Sequence, residues 1–285
     1  MPELPEVETI RRNLEKDLVG KILGEVDIRV SKQFIGNKRD ILGAKIISIE
    51  RFGKILAFKL VSINYSLITS HYLNIHLKLT GQLVFGKNSK ENIYQAIIPH
   101  SHQNKLPAKT TRIIFYFKDG SVLYFNDLRK FGWIKITNKP LKPQGTDILS
   151  KDFTLKLFSD LARLINKPIK LFLMDQDKLA GVGNIYANDA LFLAKIHPMR
   201  KSKSLNPMEL QKLYQMVKKV IDEGLKYNGS SDESYILPDT SIGEYQKHFK
   251  VYGQEGKKCI RCKTIIKRIK QAGRSYFFCS LCQQI

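Results

Sequence analysis

All four cysteines of the chain stand in two CxxC pairs, Cys259-Ile260-Arg261-Cys262 and Cys279-Ser280-Leu281-Cys282, with sixteen residues between them. Two such pairs supply four thiolates for a tetrahedral zinc, and the intervening residues have room for a β-hairpin. A pair of disulfides would use the same residues, but no basic-then-apolar secretory signal opens this chain. One structural Zn2+ on Cys259, Cys262, Cys279 and Cys282 is therefore expected. Four protein ligands leave no open position for a metal-bound water, so the metal is not the catalyst. The unit is also basic: from Lys247 to Arg274 there are ten Lys or Arg and one acidic residue, Glu255. A solvated face is the ordinary meaning of a charge run, but this density on a small metal-stapled hairpin suits phosphate.

The charge extends to the whole chain. Its 285 residues carry 48 Lys and Arg against 26 Asp and Glu, a net +22 that attracts polyanions. An anionic membrane is the other polyanion, but no apolar run approaches the ~18 residues a spanning helix needs. Nucleic acid in the cytoplasm is the simpler expected partner.

Hydrophobic periodicity changes once along the chain. Val7, Ile10, Leu14 and Leu18 recur at helical spacing before Gly20. Short β-rich runs follow at residues 25–30, 45–50, 55–61, 72–77, 113–117 and 122–125, with Asp119-Gly120 signalling a two-residue hairpin. A β-sandwich or barrel fits them. Residues 87–109 show no period and read as a surface loop. After the Pro/Lys-rich stretch at 139–150 the period is helical, at 155–166, 169–174, 184–194 and 207–224. The last of these opens with Asn206, Pro207 and Glu209, a capping box. Polar residues at 228–234 and 238–243 read as a mobile loop.

The chain opens Met1-Pro2-Glu3-Leu4-Pro5-Glu6-Val7-Glu8. Methionine is normally clipped before proline, which would expose the secondary amine of Pro2. Such an amine, neutral in part near its pKa of ~8, attacks aldehyde carbons to form an iminium. The same residues also serve as a plain helix start, with Pro5 in the first turn and Glu3, Glu6 and Glu8 facing the helix dipole. Read by themselves they leave both possibilities open.

PELPEVETIRR resembles the opening of formamidopyrimidine-DNA glycosylases, and further motifs agree along the chain. They are Arg51-Phe52-Gly53-Lys54, His76-Leu77-Lys78-Leu79-Thr80-Gly81, Asn126-Asp127-Leu128-Arg129-Lys130-Phe131-Gly132, Lys170 with Gly181-Val182-Gly183-Asn184, and Gly273-Arg274 before the last cysteines. The resemblance implies an α+β multidomain fold: an N-terminal β-sandwich preceded by a helix (residues 2–138), a linker (139–150), a helical helix–two-turn–helix domain (151–244) and a C-terminal zinc-finger β-hairpin (245–285). It implies a bifunctional enzyme on damaged double-stranded DNA that excises oxidised purines and then cuts the abasic strand. In that reading Pro2 is the nucleophile, Glu3 the acid, Glu6 its orienting neighbour, and Lys54 and Arg274 hold backbone phosphates. His76, Lys170 and Asn184 contact DNA, while Leu79, Arg129 and Phe131 fill the hole left by the extruded base. Two positions depart from the family pattern. Leu79 stands where the family has methionine, a stiffer wedge, and Thr110 stands where a histidine is often found. The sister family acting on oxidised pyrimidines opens PEGPE, and Leu4 argues against it. A non-catalytic zinc-ribbon binder would explain the charge and the cysteines but has no use for Pro2-Glu3.

Overall fold

A computed structural model describes residues 2–64, 67–88, 105–231 and 235–285. Most of the loop expected at 87–109 lies outside them, as do residues 232–234 of the polar stretch. The chain divides into two compact units, Met1–Lys142 with Tyr227–Glu244, and Pro143–Lys226 with Tyr245–Ile285.

The first unit begins with α1 (Leu4–Leu18), followed by β1 (Leu23–Ile28), β2 (Phe34–Ile35), β3 (Lys45–Phe52), β4 (Ile55–Asn64), β5 (Leu67–His76), β6 (Gly81–Gly86), β7 (Thr111–Phe117), β8 (Val122–Asp127) and β9 (Trp133–Thr137). They form a four-stranded sheet in the order β1-β7-β8-β6 and a five-stranded sheet in the order β2-β9-β5-β4-β3. Inward residues of both sheets, such as Phe58, Ile75, Phe115 and Phe125, share one core with Val7, Ile10, Leu14 and Leu18 of α1. The helical stripe read from spacing is thus the face that packs on the sandwich, burying apolar surface that anchors the N-terminus.

All six expected strands are present. β6 and β9 were not foreseen: β6 is buried along nearly its whole length and so shows no alternation, whereas the alternating Ile134 and Ile136 of β9 were an available signal. The β7–β8 turn also differs from the expected two-residue hairpin. Gly120 N–H bonds to Phe117 O, so Lys118 and Asp119 are the central residues and Gly120, at φ +86°, takes the left-handed position after them.

The described residues of the polar stretches 228–234 and 238–243, read as a mobile loop, and the segment between them are held in place: Ser230 N–H bonds to Glu6 Oε1, and Gly243 N–H to the Ser231 hydroxyl. Tyr235 and Leu237 join the sandwich core, and Phe85 N–H of β6 bonds to Pro238 O at 2.8 Å. The Tyr235-Ile236-Leu237 triplet inside a polar stretch was the available signal. Packing therefore groups Tyr227–Glu244 with the sandwich instead of with the helices that precede it in sequence.

The second unit holds β10 (Thr146–Asp147), α2 (Leu155–Leu164), α3 (Ile169–Leu173), β11 (Leu179–Ala180), α4 (Asn184–Ala194), α5 (Pro207–Lys226), β12 (Lys267–Gln271) and β13 (Arg274–Phe278). The foreseen capping box is formed at α5: Glu209 N–H bonds to Asn206 Oδ1 and Asn206 N–H to Glu209 Oε2, each at 2.9 Å. β12 and β13 make the terminal hairpin, whose inner side shares a core with Phe192 of α4 and Val251. Among the described residues no helix is long and apolar enough to cross a membrane.

Candidate active site

Pro2 and the carboxyls of Glu3 and Glu6 are buried at the start of α1. Glu3 caps the helix instead of lying in it. Its side chain accepts the Glu6 N–H, and Glu6 Oε2 accepts the Glu3 N–H at 2.8 Å, a reciprocal capping box. The helix-start reading and the catalytic reading of these residues are therefore compatible, since the cap fixes the backbone from which Glu3 projects. Glu6 Oε1 takes the Ser230 N–H at 2.9 Å, so one carboxylate ties the Pro2-Glu3 backbone to the far loop of the same unit. Gly229 makes that approach possible: a Cβ there would lie 2.8 Å from Glu6 Cγ.

Sequence reasoning overlooked the next tie. Glu8 bonds to Arg11, Arg12 and Arg51, and the Arg51 guanidinium continues to Gly53 O at 2.9 Å. Arg51 thereby clamps the β3–β4 turn, with Gly53 at φ +58°, to the helix and places the buried Lys54 at the head of β4. Burial works to raise the Glu8 pKa, but the three guanidiniums outweigh it and hold the carboxyl below the ordinary value. The signal available in the sequence was Glu8 with Arg11 and Arg12 at i+3 and i+4.

His76 ends β5. Burial, then the cations Lys78 and Lys54, push its pKa down to about 3. Its Nδ1 accepts the Lys78 N–H at 3.0 Å, so the neutral ring carries its proton on Nε2 and can act as an uncharged donor. The turn after it closes through Gly81 N–H to Leu77 O, with Lys78 at φ +53° and Leu79 half-buried. On the loop between β8 and β9, Arg129 and Phe131 are exposed, and the guanidinium lies 4.9 Å from the Phe131 ring centre. Thr110, in the place of the expected histidine, leaves its hydroxyl buried without a hydrogen-bond partner among the described residues.

In the second unit the Gly181–Gly183 turn is braced by Gln176, which bonds to Gly181 N–H and Val182 O and sets Asn184 at the first turn of α4. Lys170, expected to contact DNA, lies in the short helix α3. It has no exposed surface; its ammonium donates to Ser275 O and lies 3.9 Å from the Tyr276 ring centre. It ties α3 to β13, the strand that Arg274 begins. Arg274 itself is exposed beside a two-residue turn, Ala272 at φ +48° and Gly273 at φ +70°.

The four thiols converge, their sulfurs all within 4.8 Å of one another, with Cys262–Cys279 at 3.4 Å and Cys259–Cys282 at 3.9 Å. A tetrahedron with Zn–S near ~2.3 Å has edges of about 3.8 Å, so the donor set fits zinc. Backbone N–H groups of Arg261 and Cys282 point at the Cys259 and Cys279 sulfurs, the stabilisation that thiolates need. Cys259, Cys262, Cys279 and Cys282 are the residues that would hold one structural zinc.

Together these features define a class: a basic, zinc-stapled, nucleic-acid-binding enzyme with a capped acid at its N-terminus. Comparison with known proteins narrows it. Three family models match: the formamidopyrimidine-DNA glycosylase N-terminal domain over residues 1–134, its H2TH domain over 144–235, and the zinc finger found in FPG and IleRS over 256–285. The chain is 34% identical to the formamidopyrimidine-DNA glycosylase of Listeria innocua, with both chains covered in full. The crystal structure of the MutM (Fpg) protein from Thermus thermophilus is similar at a TM-score of 0.84 and 33% identity, covering 99% of this chain and 98% of that one. A Lactococcus lactis Fpg variant bound to Fapy-dG-containing DNA gives 0.82 and 31%, covering both chains in full. The chain belongs to the formamidopyrimidine-DNA glycosylase family.

Proposed function

We propose that the protein excises oxidised purines, 8-oxoguanine opposite cytosine and formamidopyrimidines, from duplex DNA and then cleaves the abasic strand. The observation that carries this reading is the buried Pro2-Glu3 pair, locked by the Glu3–Glu6 capping box at the head of α1. Relatives supply the substrate class: the Lactococcus lactis structure contains Fapy-dG DNA, and a further similar MutM structure contains carbocyclic 8-oxo-G DNA. With Met1 removed, the neutral Pro2 amine attacks C1′ of the damaged nucleotide, and Glu3 protonates the opening sugar as the base departs. The iminium acidifies the adjacent sugar C–H, so β- and then δ-elimination expel the 3′ and 5′ phosphates and leave a one-nucleotide gap.

Lys54 and Arg274 hold flanking phosphates in this scheme. His76 and Asn184 contact the backbone as uncharged groups, while Leu79, Arg129 and Phe131 occupy the vacated stack. Lys170 acts indirectly, by seating the strand of Arg274. The protein works as a monomer on the nucleoid. The test is borohydride trapping on an 8-oxoguanine or abasic duplex. A crosslink mapping to Pro2 is expected, and its absence removes Pro2 as nucleophile. Glu3→Gln should abolish base excision while retaining some abasic-site cleavage, where the sugar is already partly open; normal excision by Glu3→Gln would put the acid elsewhere.

A further inference from the structure

A hydrogen-bond hub beside the wedge loops has no part in that scheme. Asp127, at the end of β8, is fully buried. Its Oδ1 accepts the Thr80 hydroxyl at 2.5 Å and the Arg129 N–H at 3.2 Å. Its Oδ2 accepts the Gly132 N–H at 2.7 Å and the Gln33 side-chain amide at 2.9 Å. The Thr80 oxygen in turn takes the Arg129 N–H at 3.0 Å, closing a three-membered network. All four donors are neutral, and burying a carboxylate on neutral donors is a poor way to fill a core. The donors share a location instead. Thr80 follows Leu79, while Arg129 and Gly132 bracket Phe131. Even the backbone is shaped to the carboxylate, since a Cβ at Gly132 would lie 2.8 Å from Phe125 Cζ and 3.1 Å from Asp127 Oδ2.

We propose that Asp127 is the positioning residue that locks the Leu79 turn and the Arg129–Phe131 loop into one wedge, so that both enter the base stack as a unit. The proposal rests on the wedge role assigned above; Asp127 touches neither the DNA nor the reacting atoms. Asparagine at this position can keep its oxygen toward Gln33 and Gly132 and turn its amide toward Thr80, whose hydroxyl can rotate and accept. The Arg129 N–H loses its bond to residue 127 and keeps only that to the Thr80 oxygen. The fold is then preserved and the link between the two loops is loosened. Thr80→Val cuts the same link from its other end.

Both variants are to be compared with the parent on an 8-oxoguanine:cytosine duplex, on the same duplex with an abasic site, and on a duplex in which 2-aminopurine adjoins an uncleavable abasic analogue. Misplacing the wedge should lower the excision rate by about 10²-fold. Abasic cleavage should fall much less, because no base has to be extruded. The 2-aminopurine unstacking signal should drop, while the salt dependence of binding stays that of the parent, no phosphate contact having been lost. Asp127→Asn and Thr80→Val combined should cost less than the sum of the two, as for residues acting through one link. Parent-like excision in both variants overturns the proposal, and so does a parallel fall of excision and abasic cleavage with loss of thermal stability. If the parent excises no lesion, the functional reading fails, and the fluorescence alone decides the wedge.

Discussion

His76 shows how a single side chain acquires its state from its surroundings. Burial, with Lys78 and Lys54 nearby, pushes its pKa down to about 3, so in the free protein the imidazole is neutral near pH 7. In the unfolded chain the same ring titrates near 6.5, so below that pH the unfolded state binds the extra proton. Stability from this group is therefore complete above pH 6.5 and is lost as the pH falls toward 3, by up to about 1.4 kcal/mol per pH unit. His197, lowered by burial, works in the same direction. Glu8 belongs to a lower window: its folded pKa lies below 4.5, so its contribution is present above that value and is lost on further acidification. Urea midpoints measured from pH 7 to pH 5 should fall for the parent and fall less for His76→Gln. Equal slopes would mean that the ring is solvated in the folded protein.

The zinc hairpin is the element where local chemistry and packing meet most directly. Ala272 takes a left-handed conformation in a turn whose two central residues both have positive φ, a geometry that favours Asn, Asp or Gly. Ala272→Asn should raise stability by about 0.5–1 kcal/mol, given the ~1–2 kcal/mol cost of that conformation for an ordinary side chain; thermal unfolding with zinc bound measures it. The hairpin does not fold on metal alone. Cys259 and Cys279 share a core with Phe192, and Arg261 donates to Phe192 O and Leu193 O at the carboxyl end of α4, where a cation is favoured. Cys279→Ser should therefore release zinc, unfold the hairpin and also fray α4, visible as lost metal and a partial loss of helical circular dichroism. Arg274→Ala should keep the metal and the fold, weaken DNA binding, and impair strand cleavage after base removal most. Full zinc content in Cys279→Ser would remove the link between metal and fold.

At the scale of the whole molecule the net charge of +22 dominates any encounter with DNA. If six phosphates are neutralised, log affinity should fall against log salt with a slope of roughly −5. Fluorescence anisotropy across a salt series on an undamaged duplex gives that slope, and a value near zero would mean that the charge serves only solubility.

Features set by short-range chemistry were legible in the sequence alone. Four thiolates at fixed spacing need a metal wherever the rest of the chain goes. The α1 stripe, the α5 cap and the switch from β to helical period follow from propensity and from which face must be dry. The residues proposed as the reacting pair and the wedge were named in the sequence through the motifs that carry the family resemblance. Long-range pairing had to be seen. Nothing near Asp127 in sequence predicts Gln33 or Thr80 as donors, and nothing near Glu8 predicts Arg51, because such bonds form only once the strands are in register. Lys170 makes the same point in reverse. A lysine in a basic chain reads as solvent-facing, yet a carbonyl and an aromatic ring brought from a hundred residues away enclose it completely. Composition and local period determine what each segment can become; which buried polar group finds which partner is decided only when the tertiary fold removes water from both.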